Sequence, residues 1–263
     1  MSNTIGFGQA AVNNTIDYGQ GAIDNTINWG KSQTLSPSGE TNITGTPSTP
    51  PFSNTKSILL DGVDDFVSCG NDASLQITNT LSISAWVKTT DTNYIGIYGK
   101  GNSVAQADTY FRMQNTGVIR TFLNNNTINV TGTTAINDGN WHHVMFVYVP
   151  STSMTIYVDG SQDAQNTTSI PSAINNNYSN VYIGQFQKWF GNIDEVAVWN
   201  SDQSANVSTI YNGGVPNDLT SLSPLSWWRC GDGDTSPTLT DNGSASNDGT
   251  MTNFTTFSTD VPT

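Results

Sequence analysis

Residues 57–70 read SILLDGVDDFVSCG, and residues 81–88 read LSISAWVK. Each is a strand-length apolar run rich in β-branched side chains, and Asp61-Gly62 divides the first into two. Working outward, comparable runs recur at 94–98, 110–113, 118–123, 144–149, 154–158, 181–183 and 193–199. Turn signals separate them: Asp138-Gly139, Asp159-Gly160 and the asparagine run 124–126. Asp-Gly marks hairpin turns because both positions tolerate positive φ. Many short strands punctuated in this way predict an all-β sandwich or barrel. One helical piece is expected, with Ser204 capping 205–211 and Gly213 ending it.

Composition agrees. Hydrophobic residues make up 35% and charged residues 11%, with Asn, Thr, Ser and Gly filling the difference, which suits strands and polar turns better than long helices. The net charge of −13, from 8 Lys+Arg against 21 Asp+Glu, repels phosphate backbones and anionic lipid. Neither nucleic acid nor membrane insertion is therefore expected, and no run of 18 apolar residues is present. Carboxylates also suit calcium, which takes oxygen ligands. Cys69 and Cys230 form no Cys-x-x-Cys pair; two buried thiols are favoured, with one long-range bridge left open.

Three regions follow along the chain. Residues 1–33 hold three 11-residue repeats: Asn3-Thr4-Ile5-x-Phe7, Asn14-Thr15-Ile16-x-Tyr18 and Asn25-Thr26-Ile27-x-Trp29. Recurrent Gly8, Gly19 and Gly30 oppose a continuous helix, so short turns or small helical pieces are expected. Each unit is too small to bury its own apolar face. Ile5, Phe7, Ile16, Tyr18, Ile27 and Trp29 thus become candidate docking residues of an anchoring arm. Residues 34–56 are a Ser/Thr/Pro linker, and 57–263 carry the folded domain. The N-terminus lacks a basic stretch followed by an apolar one, so a secretory signal is not expected there.

Five segments carry a resemblance to a known family: 57–70, 81–88, 138–144 (DGNWHHV), 154–160 (MTIYVDG) and 191–211 (GNIDEVAVWNSDQSANVSTIY). In order and spacing they resemble laminin-G-like members of the concanavalin A-like lectin/glucanase jelly rolls. The resemblance implies a two-sheet antiparallel sandwich, with Trp86, Trp141 and Trp199 as anchors and His142-His143 as ordinary strand residues. Segments 225–233 (LSWWRCGDG) and 241–250 (DNGSASNDGT) are similar to the family's usual first strand and loop, yet in this chain they come last. The expectation is a circular permutation, with Trp227 or Trp228 entering the core; the alternative is the start of a second domain.

The resemblance also directs the search for sites. Glucanases of this fold set carboxylates on one face of a strand, but Asp194 and Glu195 are adjacent and strict alternation sends them to opposite faces. A non-enzyme is expected. A structural calcium is implied near the 241–249 loop, with Asp241 and Asn247, and at Asp194; Asp61, Asp64 and Asp65 are further candidates, and ordinary turn chemistry is the competing reading. Glycan contacts are expected from Tyr94 and the segments 124–126, 175–178 and 185–190, with Trp189, Tyr178 and Asn125 as the named candidates, since aromatic planes stack on sugars. In organisation, the whole chain resembles tailed-bacteriophage fibre, appendage or decoration proteins. That implies a virion-surface protein whose arm binds other virion proteins and whose head meets host glycan, as a homo-oligomer, a trimer being favoured. The alternatives are a cell-surface or secreted bacterial adhesin and a non-catalytic module of a glycan-degrading complex.

Overall fold

The computed structural model describes residues 52–263 in full and, before them, only the backbone of four short strands. β1 (Asn13–Asp17) pairs antiparallel with β2 (Ala22–Thr26), Ile16 opposite Ile23. Repeat segments read as turns or helical pieces are thus extended, as their Thr-Ile pairs favour. Ile5, Phe7, Tyr18, Ile27 and Trp29 lie outside the described residues. β3 (Thr34–Leu35) and β4 (Thr41–Asn42) pair within the expected linker. The second compact unit starts at Ser53, four residues earlier than the sequence suggested. Hydrogen bonds explain the shift: Thr55 N–H and hydroxyl both donate to Asp232.

That unit is an antiparallel two-sheet jelly roll. The first sheet runs β14 (Ser161–Asn166), β13 (Ser153–Val158), β12 (Trp141–Val149), β7 (Leu81–Lys88), β16 (Phe190–Trp199), β5 (Ser57–Asp61) and β20 (Phe257–Ser258), with β17 (Ser226–Trp228) also beside β16. The second runs β11 (Ile128–Ala135), β10 (Val118–Leu123), β9 (Gln106–Met113), β8 (Ile95–Ser103), β15 (Val181–Ile183), β6 (Phe66–Gly70), β19 (Gly249–Thr252) and β18 (Thr238–Leu239). The tail strands enter both sheets, so residues 215–263 belong to this sandwich rather than to a second domain.

Alternation builds the core. Leu81, Ile83, Ala85 and Val87 of β7 face inward, as do Phe111 and Met113 of β9 and Ile119 and Leu123 of β10. Of the tryptophans, Trp189 and Trp228 fill the space between the sheets. Trp86 is buried too, but on the opposite face of β7, stacked on Tyr211 of α1 (Val207–Tyr211). Trp199 donates its indole N–H to Leu222 O, and Trp141 is only half-buried, donating to Asp260. The three expected anchors therefore do not form the inter-sheet core. The Asp159-Gly160 turn has both φ angles positive, 48° and 76°, the geometry a two-residue hairpin demands. The helix starts differently from expectation: Ser204 opens a 3-10 turn over Ser204–Asn206, α1 begins only at Val207, and neither piece has a side-chain cap, while the Ser204 N–H donates to Asp202 Oδ1 at 2.9 Å. Both cysteines are buried free thiols. No helix among the described residues is long and apolar enough to cross a membrane.

Candidate functional site

Three clusters bear on function. The first sits where β16 changes partners. Residues 190–193 of β16 pair with β5, and 196–198 pair with β17. The register against β7 slips between Asp194 and Ala197, and Glu195 takes φ of 48°. This bulge breaks the alternation expected from the sequence. Asp194 and Glu195 are both buried, at 0% and 3% exposure. Asp194 accepts from Asn54 Nδ2 at 2.8 Å and from the Glu195 N–H at 2.9 Å. Glu195 accepts from Trp227 Nε1 and from Arg229 Nε at 3.2 Å. Burial, then the neighbouring Glu195 charge, holds the Asp194 carboxyl well above the usual carboxylate range. Burial lifts Glu195 to about 7 against the pull of Arg229. Both carboxylates are engaged by the protein and closed off from any substrate.

The second cluster comprises the expected calcium ligands. Asp241 accepts three backbone N–H groups, from Trp227, Gly243 and Asn247, each at 2.7 Å. Asn247 exchanges hydrogen bonds with Ser74 and donates to Ser226 at 2.9 Å. These two residues tie the tail to the sandwich by turn chemistry, and Asp194 is taken up by Asn54. Hard oxygens gather instead at Asp61, Asp64 and Asp65, where one carboxylate oxygen from each lies within 4.8 Å of the others. One oxygen of Asp61 accepts from Val63 and Asp64 N–H, and one of Asp65 from Asp61 N–H. Burial, reinforced by the charges of Asp61 and Asp64, raises the Asp65 pKa. Of the expected ligands, Asp61 stands in a set of three convergent carboxylates, which suits calcium.

The third cluster covers the outer face of the second sheet. Because 109, 111 and 113 of β9 point inward, Tyr110 and Arg112 point outward, and on β10 Arg120 and Phe122 do the same. Tyr110, Phe122 and Phe186 form a small aromatic cluster, with edge-on contacts at 5.2 and 5.8 Å. The segment after β15 folds back over this face, with Phe186 and Gln187 at φ of 48° and 71°. It can approach because Gly96 lies beneath it: a Cβ there would collide with Gln185 O. Gln187 Oε1 then accepts from Arg112 Nη1 at 2.8 Å. The Arg112 guanidinium lies 4.7 Å from the centre of the Tyr94 ring, which is 39% exposed. Arg120 Nη2 donates to Asn126 Oδ1 at 3.0 Å. Asn124, Asn125 and Asn126 all have positive φ, and Asn125 projects into solvent. Tyr178 is half-buried, its N–H held by Asp108 Oδ2 at 3.0 Å.

Of the four expected sugar contacts, Trp189 is displaced: it is fully buried between the sheets and presents no face to a ligand. Its place after the turn at Gly184 carries it under the sheet while its neighbours Phe186 and Gln187 lie above. Tyr94 is accessible and joined to Arg112. Gln187 falls within the expected 185–190 segment, whereas Arg112 and Arg120 lie outside every expected segment. Alternation in TYFRM (109–113) and VIRTF (118–122) carries the signal, since Arg sits two residues from an aromatic in both. Strand register, which a single sequence does not give, brings the two together.

The sequence model described as the concanavalin A-like lectin/glucanases superfamily (Laminin_G_3) matches residues 61–206. The chain belongs to this family. Among solved structures, it is similar to the SAP-like pentraxin of Limulus polyphemus: 17% identity, TM-score 0.47, covering 60% of this chain and 82% of that one. Domains LG4-5 of the mouse laminin α1 chain give 14% and 0.46, covering 60% of this chain and 45% of theirs. The Ruminococcus gnavus IT-sialidase CBM40 gives 14% and 0.45, covering 59% and 96%. At these identities the likeness is one of fold alone. No curated protein matches the sequence. The laminin-G-like jelly roll is thus established from both sequence and architecture, and the matched segment contains β6 to β16 with all of the third cluster.

Proposed function

We propose that the chain is a non-catalytic, carbohydrate-binding surface protein whose ligand sits on the outer face of the second sheet. The observation that carries this reading is the Tyr94–Arg112 stack, an accessible aromatic ring fixed over a buried guanidinium on a lectin-type sandwich. A held ring costs little entropy when a sugar stacks on it. Asn125 and Tyr178 border the same face in this reading. Absence of catalysis is supported by the carboxylates themselves: Asp194 and Glu195 are buried and occupied, and a glycosidase needs two that reach one bond.

The wider setting is a bacteriophage virion, with the arm 1–33 docked on other virion proteins, the head displayed, and the chain trimeric. It rests on the repeat, the linker and the lectin-type head. Glycan-array screening of the purified chain tests the binding reading. Discrete sugar hits weakened by Tyr94→Ala support it, and no hits from a folded chain reject it. Immunogold labelling of density-purified particles tests the setting. Label at a fixed place on particles supports a virion protein, whereas label on cells alone favours an adhesin.

A further inference from the structure

The outer face of the second sheet holds an electrostatic conflict that the chain leaves unresolved. Arg112 and Arg120 stand directly opposite each other on β9 and β10. Like charges in such positions destabilise a sheet. The chain has 21 Asp+Glu to draw on, yet among the described residues neither guanidinium has a carboxylate within ion-pair distance. Their hydrogen-bond acceptors are neutral, Gln187 for Arg112 and Asn126 for Arg120. The Nε atom of each is buried without an acceptor. Arg112 as a whole is only 8% exposed.

Other cations shielded from water are treated differently. Lys100 meets Asp108 at 3.4 Å, and Arg229 meets Glu195 and Asp232. Aromatic rings compensate Arg112 in part, those of Tyr94, Tyr110 and Phe122 lying 4.7 to 5.7 Å from its guanidinium carbon. Burial lowers the Arg112 pKa, and the adjacent Arg120 charge adds to the effect.

Resting on the lectin reading above, we infer that the missing anion comes with the ligand: this face binds an acidic saccharide, its carboxylate seated on the Arg112–Arg120 pair and its ring against Tyr94. Guanidinium forks match planar, bidentate oxyanions such as carboxylate. The net charge of −13 further selects a short ligand with a single carboxylate, because a polyanion is repelled by the rest of the surface.

Titration calorimetry on the full chain tests this. The probes are two carboxylate-terminated trisaccharides, one uronic and one sialic, the neutral carboxyl-reduced form of each, and a polysulfated oligosaccharide. At least one carboxylate probe is expected to bind about tenfold or more tightly than its reduced form, the worth of one charge-assisted hydrogen bond. Arg120→Gln should erase that preference while leaving the melting temperature level or higher. Arg112→Lys, which keeps charge but loses the fork, should weaken carboxylate binding selectively. Equal affinity for acid and reduced forms, preference for the polysulfate, or an undiminished preference in Arg120→Gln would overturn the assignment and leave neutral-glycan binding standing. Failure of every saccharide to bind the folded chain overturns both this inference and the lectin reading.

Discussion

The two outer faces of the sandwich treat a largely buried arginine in opposite ways. On the first sheet, Arg229 lies beside Glu195, Asp232 and Ser53 O, and residues 53–56 run over it, hydrogen-bonded to the same acidic group. These partners are all supplied by the protein itself. On the second sheet, Arg112 and Arg120 oppose each other with neutral acceptors only. Fold stability alone explains the first arrangement. It does not explain the second, where local repulsion is tolerated beside an exposed tyrosine.

The strongest way to break this contrast is to remove the anion on the first sheet. Glu195→Ala strips a buried acceptor from Trp227 and Arg229 and should lower stability by about 3 kcal/mol in urea unfolding, the usual cost of breaking a buried pair. A loss under about 1 kcal/mol, the scale of an exposed pair, would mean that Arg229 relaxes into solvent. The cations themselves sharpen the comparison next. Arg229→Gln should cost about 2 kcal/mol, whereas Arg120→Gln should stay within about 0.5 kcal/mol of the parent or gain stability by relieving repulsion. Equal losses would make both arginines structural.

A third test uses pH on the first sheet. His143 is buried beside the stacked rings of Trp86 and Tyr211, and both its ring nitrogens lack hydrogen-bond partners. Burial depresses its pKa from 6.5 to about 4, so the neutral form is the folded one. The unfolded chain binds the proton first as pH falls. The resulting stability is intact above pH 6.5 and is lost between there and about 4. His143→Phe should flatten that limb of the stability profile, and an unchanged limb would assign acid sensitivity to other groups. The smallest expected effect concerns the Asp61–Asp65 turn. Millimolar calcium, at concentration c, should stabilise the folded chain by about RT ln(1 + c/Kd) and so raise the melting temperature by a few degrees, and Asp61→Asn with Asp64→Asn should remove the rise. No shift in the parent would dismiss the ion.

What was legible in the sequence follows the same division. Strands buried on a core face announced themselves: all ten apolar runs became strands. β11 and β14 did not, because they are sheet edges whose sequences, INVTGTTA and SQDAQN, are mostly polar and face water. The family resemblance was readable from five segments, and the tail's tryptophans entered the fold as expected. The site was less legible. Strict alternation sends Asp194 and Glu195 to opposite faces, and one residue at positive φ cancels that rule. Trp189 looked like a sugar platform because burial of a loop tryptophan depends on how the loop turns, not on its composition. The opposed arginines needed strand register, a long-range property set by the whole sheet.

The central claim is that the outer face of the second sheet, around Tyr94, is the ligand-binding surface. Amide hydrogen exchange on the full chain, with and without the best-binding saccharide from the array, tests it most directly. Binding at that face predicts ligand-dependent slowing confined to β9, β10, the 124–127 turn, the start of β8 and the 184–189 segment, with β16, β17 and residues 53–56 unchanged. Slowing centred on β16 and β17, with the Tyr94–Arg112 region unaffected, would contradict it and move the site to the first sheet, beside Arg229 and its acidic partners.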